Sequence, residues 1–446
     1  MVSDRITVRR SRVENVEQSS RSHVKRAARR EPLRFAYFGL ILFMVVYFAR
    51  PEDWIPGLAS IPLAKITGIL ILLALTFSFS QIRWHMPQEV VFLALLVLQL
   101  WLAALFSPVW RGGAVNVMFD FSKVLPLVIV IYAAVRSMKR LRTIIFVQAA
   151  SISVIAIASI VNRHISGGRL QGALSAIYGD PNDLALAIDL SLPLCLVLAL
   201  TTVNYWKKIT WTVAMLAMIY AVALTASRAG AIALVVAALV CLWRLGVGSR
   251  RFYLLLLVPV ALIAFWLLSG NVLRERFNQT SIDSSPNSHG TAAYGSAQQR
   301  KELFFQSLRV TVQHPLFGVG PGNFVVVSGV WHVTHNTFTQ LSAEGGFPAF
   351  FLYVLVFWHG LANVRNLRKY QRTGKEIRLF SMALEASLSA FLVGSLFLSD
   401  AYQVFTYCLV AYTSVLRLIV LRNRSVSTAT PLPPMKTTQV AATVWQ

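Results

Sequence analysis

Hydrophobic residues run along this chain in long, almost unbroken blocks separated by short polar stretches. A block of about 17 to 25 apolar residues is long enough for one helix to cross a bilayer. Twelve such blocks stand near 33–49, 63–80, 88–106, 121–135, 143–161, 183–204, 209–226, 229–245, 252–270, 336–361, 379–399 and 403–421. None shows the alternation over about ten residues that a membrane barrel requires. Lipid offers the backbone no hydrogen-bond partner, so only helices or closed barrels cross it. The pattern therefore predicts an all-α polytopic membrane helix bundle of about 12 transmembrane helices, with both termini on one side. It divides the chain into a basic tail (1–32), helices one to nine (33–270), a large loop (271–335), helices ten to twelve (336–421) and a second tail (422–446).

Composition agrees with this division: 56% of the 446 residues are hydrophobic and 13% are charged. The net charge of +24 would suit a nucleic-acid partner, but its distribution argues against one. Ten of the 42 Lys and Arg fall in the first 34 positions, and most others cluster in every second loop. Cytoplasmic loops carry such an excess, and basic juxtamembrane residues attract membrane lipids. The asymmetry places both termini in the cytoplasm and excludes nucleic acid as the expected partner. Cys195, Cys241 and Cys408 each fall inside a predicted helix. They read as small apolar fillers, not as a disulfide framework or a metal site.

The loop at 271–335 is far longer than the other connections and lies on the outer side in this topology. Its first half is Ser/Gly-rich. Its second half regains helical periodicity from about Ala297, with Leu303, Phe304, Leu308 and Val312 predicted on one face that lies against the membrane or packs as in an ordinary loop helix. His314-Pro315 should stop that helix.

Charged groups at membrane depth cost a few kcal/mol unless paired or hydrated, so they mark candidate sites. On the outer side these are Lys123 at the start of helix four, then Arg163, His164 and Arg169, then Asp180, Asn182 and Asp183, then Arg228, Arg300, His332, His335 and Glu344. Arg228 sits in a Ser-Arg-Ala-Gly turn between helices seven and eight. A guanidinium grips phosphate with two parallel hydrogen bonds, and a snorkelling arginine is the plain alternative. His335 precedes Asn336, a suitable N-cap for helix ten. A neutral imidazole there can accept a proton from a hydroxyl, or can simply be structural. Glu344 would lie about 12 Å into helix ten, with Arg228 or Arg300 as its expected partner. Asp180 to Asp183 read first as a turn and helix cap. Asp189 and Glu385 are intramembrane acids with no partner evident in the sequence. There is no P-loop, no GxGxxG, no HExxH, no paired Cys/His spacing and no DxD, so neither a nucleotide nor a metal cofactor is expected.

Four segments in this order resemble the O-antigen ligase/polymerase family. They are Asp-Pro-Asn-Asp-Leu-Ala (180–185), Thr-Ala-Ser-Arg-Ala-Gly (225–230), Arg300 followed by His-Pro-Leu-Phe-Gly-Val-Gly-Pro-Gly-Asn-Phe (314–324), and His-Asn-Thr-Phe-Thr-Gln-Leu-Ser-Ala-Glu-Gly-Gly (335–346). The resemblance implies a GT-C-like glycosyltransferase of the bacterial inner (cytoplasmic) membrane that works without a metal. Its partners would be a polyprenyl-diphosphate-linked glycan donor and a lipid or glycan acceptor at the periplasmic face. By resemblance Arg228 and Arg300 would hold the diphosphate, and His335 would be the general base or would position the acceptor hydroxyl. Lys123 and Arg169 would add phosphate contacts; Asn182, His332, Asn336 and Glu344 complete the expected substrate-binding set. The same residues would serve a ligase or a polymerase joining carrier-linked repeat units. A transporter for lipid-linked sugar would spread its cations along a path, whereas these gather near one face.

Overall fold

The computed structural model describes residues 33–55, 57–58, 60–77, 86–162, 165–166, 168–173, 178–248, 292–369 and 374–428. Its elements are α1 (Arg34–Ala49), α2 (Pro51–Trp54), α3 (Leu63–Phe77), α4 (Gln88–Leu105), α5 (Arg111–Phe121), α6 (Val124–Ala134) and α7 (Met138–Val161). A two-residue hairpin follows, β1 (Ile165–Ser166) with β2 (Arg169–Leu170). Then come α8 (Pro181–Thr201), α9 (Tyr205–Thr225), α10 (Arg228–Gly248), α11 (Ala292–Gln313), α12 (Phe324–Val327), α13 (Thr337–Asn366), α14 (Lys375–Gly394) and α15 (Val404–Thr428).

Among the described residues nine helical stretches are long and apolar enough to cross a membrane, with α5 and α6 counted as one stretch; α1 and α3 are shorter apolar helices. Eleven of the twelve predicted blocks therefore coincide with a helix, and the block at 252–270 lies outside the described residues. So do both predicted tails, apart from the last turns of α15, and the Ser/Gly-rich part of the loop.

The bundle is built around α8, whose membrane stretch is 83% buried. Helices α7, α9, α10 and α14 pack against it. Between membrane helices close approach of backbones replaces the hydrophobic drive. A Cβ on Gly230 of α10 would come within 2.6 Å of the Ala185 Cβ, and one on Gly394 of α14 within 2.8 Å of Leu186. Polar side chains in the interior are bonded across helices: Tyr412 donates to Gln148 at 3.0 Å, and Asn363 to Glu89 at 2.7 Å. The three cysteines are free and buried.

Two features depart from the sequence expectation. Helix α14 ends at Gly394, not near 399, because the chain leaves the helix to serve α13. Ser395 accepts from the Thr337 amide at 2.8 Å, Leu396 accepts from the Asn336 side chain at 3.2 Å, and Leu398 accepts from the Thr337 hydroxyl at 2.7 Å. Helix α11 begins at Ala292, earlier than expected, and stops before His314; only part of the expected apolar face is buried within the protein. Leu303, Ser307, Val310 and Thr311 pack inward, while Leu308 and Val312 are exposed. The inward face is fixed by contact with α13, which sequence periodicity does not contain.

Candidate functional site

The site is assembled from helix ends at one end of the bundle. Asp180 caps α8, its carboxylate accepting from the Asn182 amide at 2.7 Å. Asn182 reaches across to the turn joining α9 and α10: its Oδ1 accepts from Ser227 Oγ at 2.8 Å and from Arg169 at 3.0 Å. Arg169 also donates through Nε to the Thr225 carbonyl at 2.9 Å, filling an acceptor at the end of α9. Ser227 accepts from the Gly230 amide at 3.1 Å and so caps α10. Arg228, half-buried, is the first residue of that capped helix. The turn needs Ala226 in the left-handed region (φ 48°), and this network holds it there. Arg169 and Asn182, expected to touch substrate, are thus bonded to each other and fix where Arg228 begins.

His335 stands at the start of α13 with φ 52°. Asn336 caps the helix, accepting from the amides of Phe338 (3.0 Å) and Thr339 (3.1 Å). Its amide group donates to Leu396, so the cap also joins α13 to the segment after α14. The imidazole is half-buried and within electrostatic reach of Arg300, His332 and Asp180. Burial first, then the nearby Arg300 and His332, lowers its pKa to about 4, against a smaller opposing pull from Asp180. At neutral pH the ring is therefore uncharged and able to accept a proton. Arg300 comes from α11 and is half-buried; His332 is exposed.

Asp400 was not anticipated. It lies between α14 and α15, 4% exposed, and its amide donates to the Thr337 hydroxyl at 3.0 Å. Burial and the neighbouring Asp180 push its carboxyl above the usual range. The only signal in the sequence is the Ser-Asp pair interrupting an apolar run at 399–400.

Glu344 corrects an expectation. It pairs with neither Arg228 nor Arg300: Tyr402 donates to its Oε2 at 2.7 Å, Gln340 lies at 3.5 Å, and the Phe324 amide reaches Oε1 at 3.4 Å. Fully inside the protein, it braces the glycine-rich turn 318–324, whose Val319 and Gly320 amides donate to the carbonyls of Ala343 and Glu344 at 2.9 Å. A residue two turns into α13 cannot reach the open end of the bundle once that turn lies over it. Just beyond, α13 breaks at Gly346 (φ 78°), where a Cβ would sit 2.4 Å from the Leu316 carbonyl oxygen. Gln99 of α4 closes the break by donating to Leu316 (2.7 Å) and Gly345 (3.1 Å). Gln99 and Tyr402 were likewise missed, since their partners are far away in the chain. Lys123 sits at the junction of α5 and α6, exposed, with its ammonium 2.5 Å from Asp120; the structure does not bring it to the His335 group. Arg163 and His164 lie outside the described residues. Among the described residues no group of three or more His, Cys, Asp or Glu side chains is placed to hold a metal ion.

Fold and site together define a polytopic, all-helical membrane protein with a basic, histidine-bearing cluster at one end. A family model described as O-Antigen ligase matches residues 213–354, a span that holds Arg228, Arg300 and His335. Over that span the chain is similar to the O-antigen ligase/polymerase family, and the match supports that general type of activity. A search of curated proteins returns no match.

Proposed function

We propose that this protein transfers a glycan from a polyprenyl-diphosphate carrier to an acceptor hydroxyl at the periplasmic face of the bacterial inner membrane, with both termini cytoplasmic. The observation that carries this reading is the neutral His335 beside Arg300, on the capped end of α13. Arg228 and Arg300 bind the diphosphate, one at the start of α10, where the helix dipole adds positive potential, the other from α11. The acceptor oxygen attacks the anomeric carbon as the bond from that carbon to the diphosphate oxygen breaks, with inversion. The electron pair leaves on the diphosphate, and the hydroxyl proton passes to His335. Stabilising the departing charge is the larger contribution to rate, and proton removal the smaller.

The low basicity of His335 fits this sequence of events. A diphosphate beside Arg300 offsets the positive charge that depresses the imidazole. Donor binding therefore raises the affinity of His335 for the acceptor proton. The protein is read as a ligase passing a glycan to a lipid or another acceptor; a polymerase is the alternative outcome of the test.

The test uses purified protein with a polyprenyl-diphosphate-linked glycan. Arg228→Ala should abolish transfer while the protein still accumulates in the membrane, and wild-type product yield would overturn the assignment. Mass analysis of surface glycans with and without the gene then separates the two readings: lost attachment means a ligase, and shortened chains mean a polymerase.

A further inference from the structure

At the opposite end of the bundle three arginines converge on one acid. Glu385 of α14 is only 5% exposed. Arg244 of α10 approaches its Oε2 at 3.3 Å, Arg365 of α13 approaches its Oε1 at 3.4 Å, and Arg368, just after α13, bonds the same Oε1. Glu385 is nine residues from Gly394, about 14 Å along the helix from the end that meets His335. We propose that Arg244, Arg365 and Arg368 form a phosphate-binding site for the headgroup of an anionic phospholipid in the leaflet away from the His335 cluster.

Charge carries the argument first. One carboxylate against three guanidiniums leaves two positive charges uncompensated among the described residues. Glu376 and Glu89 are engaged elsewhere: Glu376 with Arg142 at 3.3 Å, and Glu89 with Asn363 and Ser414. Glu385 can satisfy only part of fifteen N–H donors, so forks remain for a second anion.

Exposure supplies the direction. Arg244 is the inner member at 19%, while Arg368 and Arg365 are 42% and 50% exposed at the edge. Glu385 thus acts as a fixed post that orients the three forks. It also lowers the mutual repulsion that would otherwise splay them.

The surroundings select a lipid over a soluble phosphate. Trp358 lies seven residues before Arg365 on the same face of α13 and is 62% exposed. Trp243, next to Arg244, is 58% exposed. Exposed tryptophans at this level belong to the membrane–water interface, where they flank headgroups and upper acyl chains. A phosphodiester at the three arginines would place its hydrocarbon against these rings.

The test titrates full-length protein in neutral detergent with phosphatidylglycerol or phosphatidylcholine, read by native mass spectrometry, with inorganic phosphate as a third arm. Wild type should prefer the anionic lipid, and Arg365→Gln with Arg368→Gln should weaken that binding about thirtyfold, from the contribution of two surface arginines. Arg365→Lys with Arg368→Lys retains charge but loses the forks, so it should give an intermediate loss. This pair decides the matter if the glutamine variant does not accumulate. Equal lipid retention by wild type and either variant overturns the site. Full displacement of the lipid by millimolar inorganic phosphate overturns the lipid assignment and leaves a soluble phosphate as ligand.

Discussion

Both ends of the bundle gather arginines, but they hold them differently. At the His335 end the positioning is indirect. Arg228 is placed by a capped turn that Asn182 and Arg169 tie down, and His335 by the Asn336 cap. At the other end Glu385 touches all three guanidiniums itself. The first arrangement sets the starts of α10 and α13 through helix caps, which suits a site whose ligand must arrive and leave. The second keeps a permanent counter-charge in the middle, which suits long-lived binding. Only the first includes a group, His335, that can exchange a proton near neutral pH once an anion lies beside it.

Breaking this contrast starts with the base. His335→Ala should lower turnover by about 10²- to 10⁴-fold with little change in donor affinity, measured by single-turnover transfer. Equal losses in both would leave His335 a structural part only. The pH profile sharpens the same point. Because the folded-state pKa is depressed to about 4, the free enzyme should keep its kcat/KM as pH falls from 7 towards 5 and lose it only as the ring protonates near 4. With donor bound, the acid limb of kcat should move to higher pH. For stability the sign is the same: neutral His335 favours the fold, so that contribution is full above the unfolded value near 6.5 and is lost as pH falls towards 4.

Next in size is the support beneath the site. Gly346→Ala forces a Cβ against the Leu316 carbonyl and strains φ, and should cost about 3 kcal/mol or prevent accumulation, read from membrane abundance and melting temperature. At the other end Glu385→Gln removes the carboxylate that touches all three arginines and should destabilise by about 3 kcal/mol, yet leave the turnover of the remaining folded protein near wild type. A large fall in turnover there would join the two ends functionally and end the contrast. The smallest effect expected is Ser227→Ala, about 1 kcal/mol from a lost helix cap, together with a raised KM for donor as Arg228 loosens.

Much of the architecture was legible in the chain itself. Apolar blocks of bilayer length must become helices because lipid cannot satisfy the backbone, and eleven of twelve coincide with described helices. Asn336, Asp180 and the stop at His314-Pro315 were readable because caps and proline act within a few residues. Arg228, Arg300 and His335 stood out as costly groups in an apolar setting. What tertiary structure alone decided was which partners those groups meet. Glu344 met Tyr402, 58 residues away, and Gln99 closed the break at Gly346 by bonding the Gly345 carbonyl, 246 residues away. Asp400 joined the site, and α10 and the end of α13 sent three arginines to one acid. Periodicity and spacing report how a residue sits on its own helix, but contacts between helices depend on how each one is rotated and how deep it lies. Packing sets both, through features such as the close approach at Gly230 and Gly394, which no local pattern encodes.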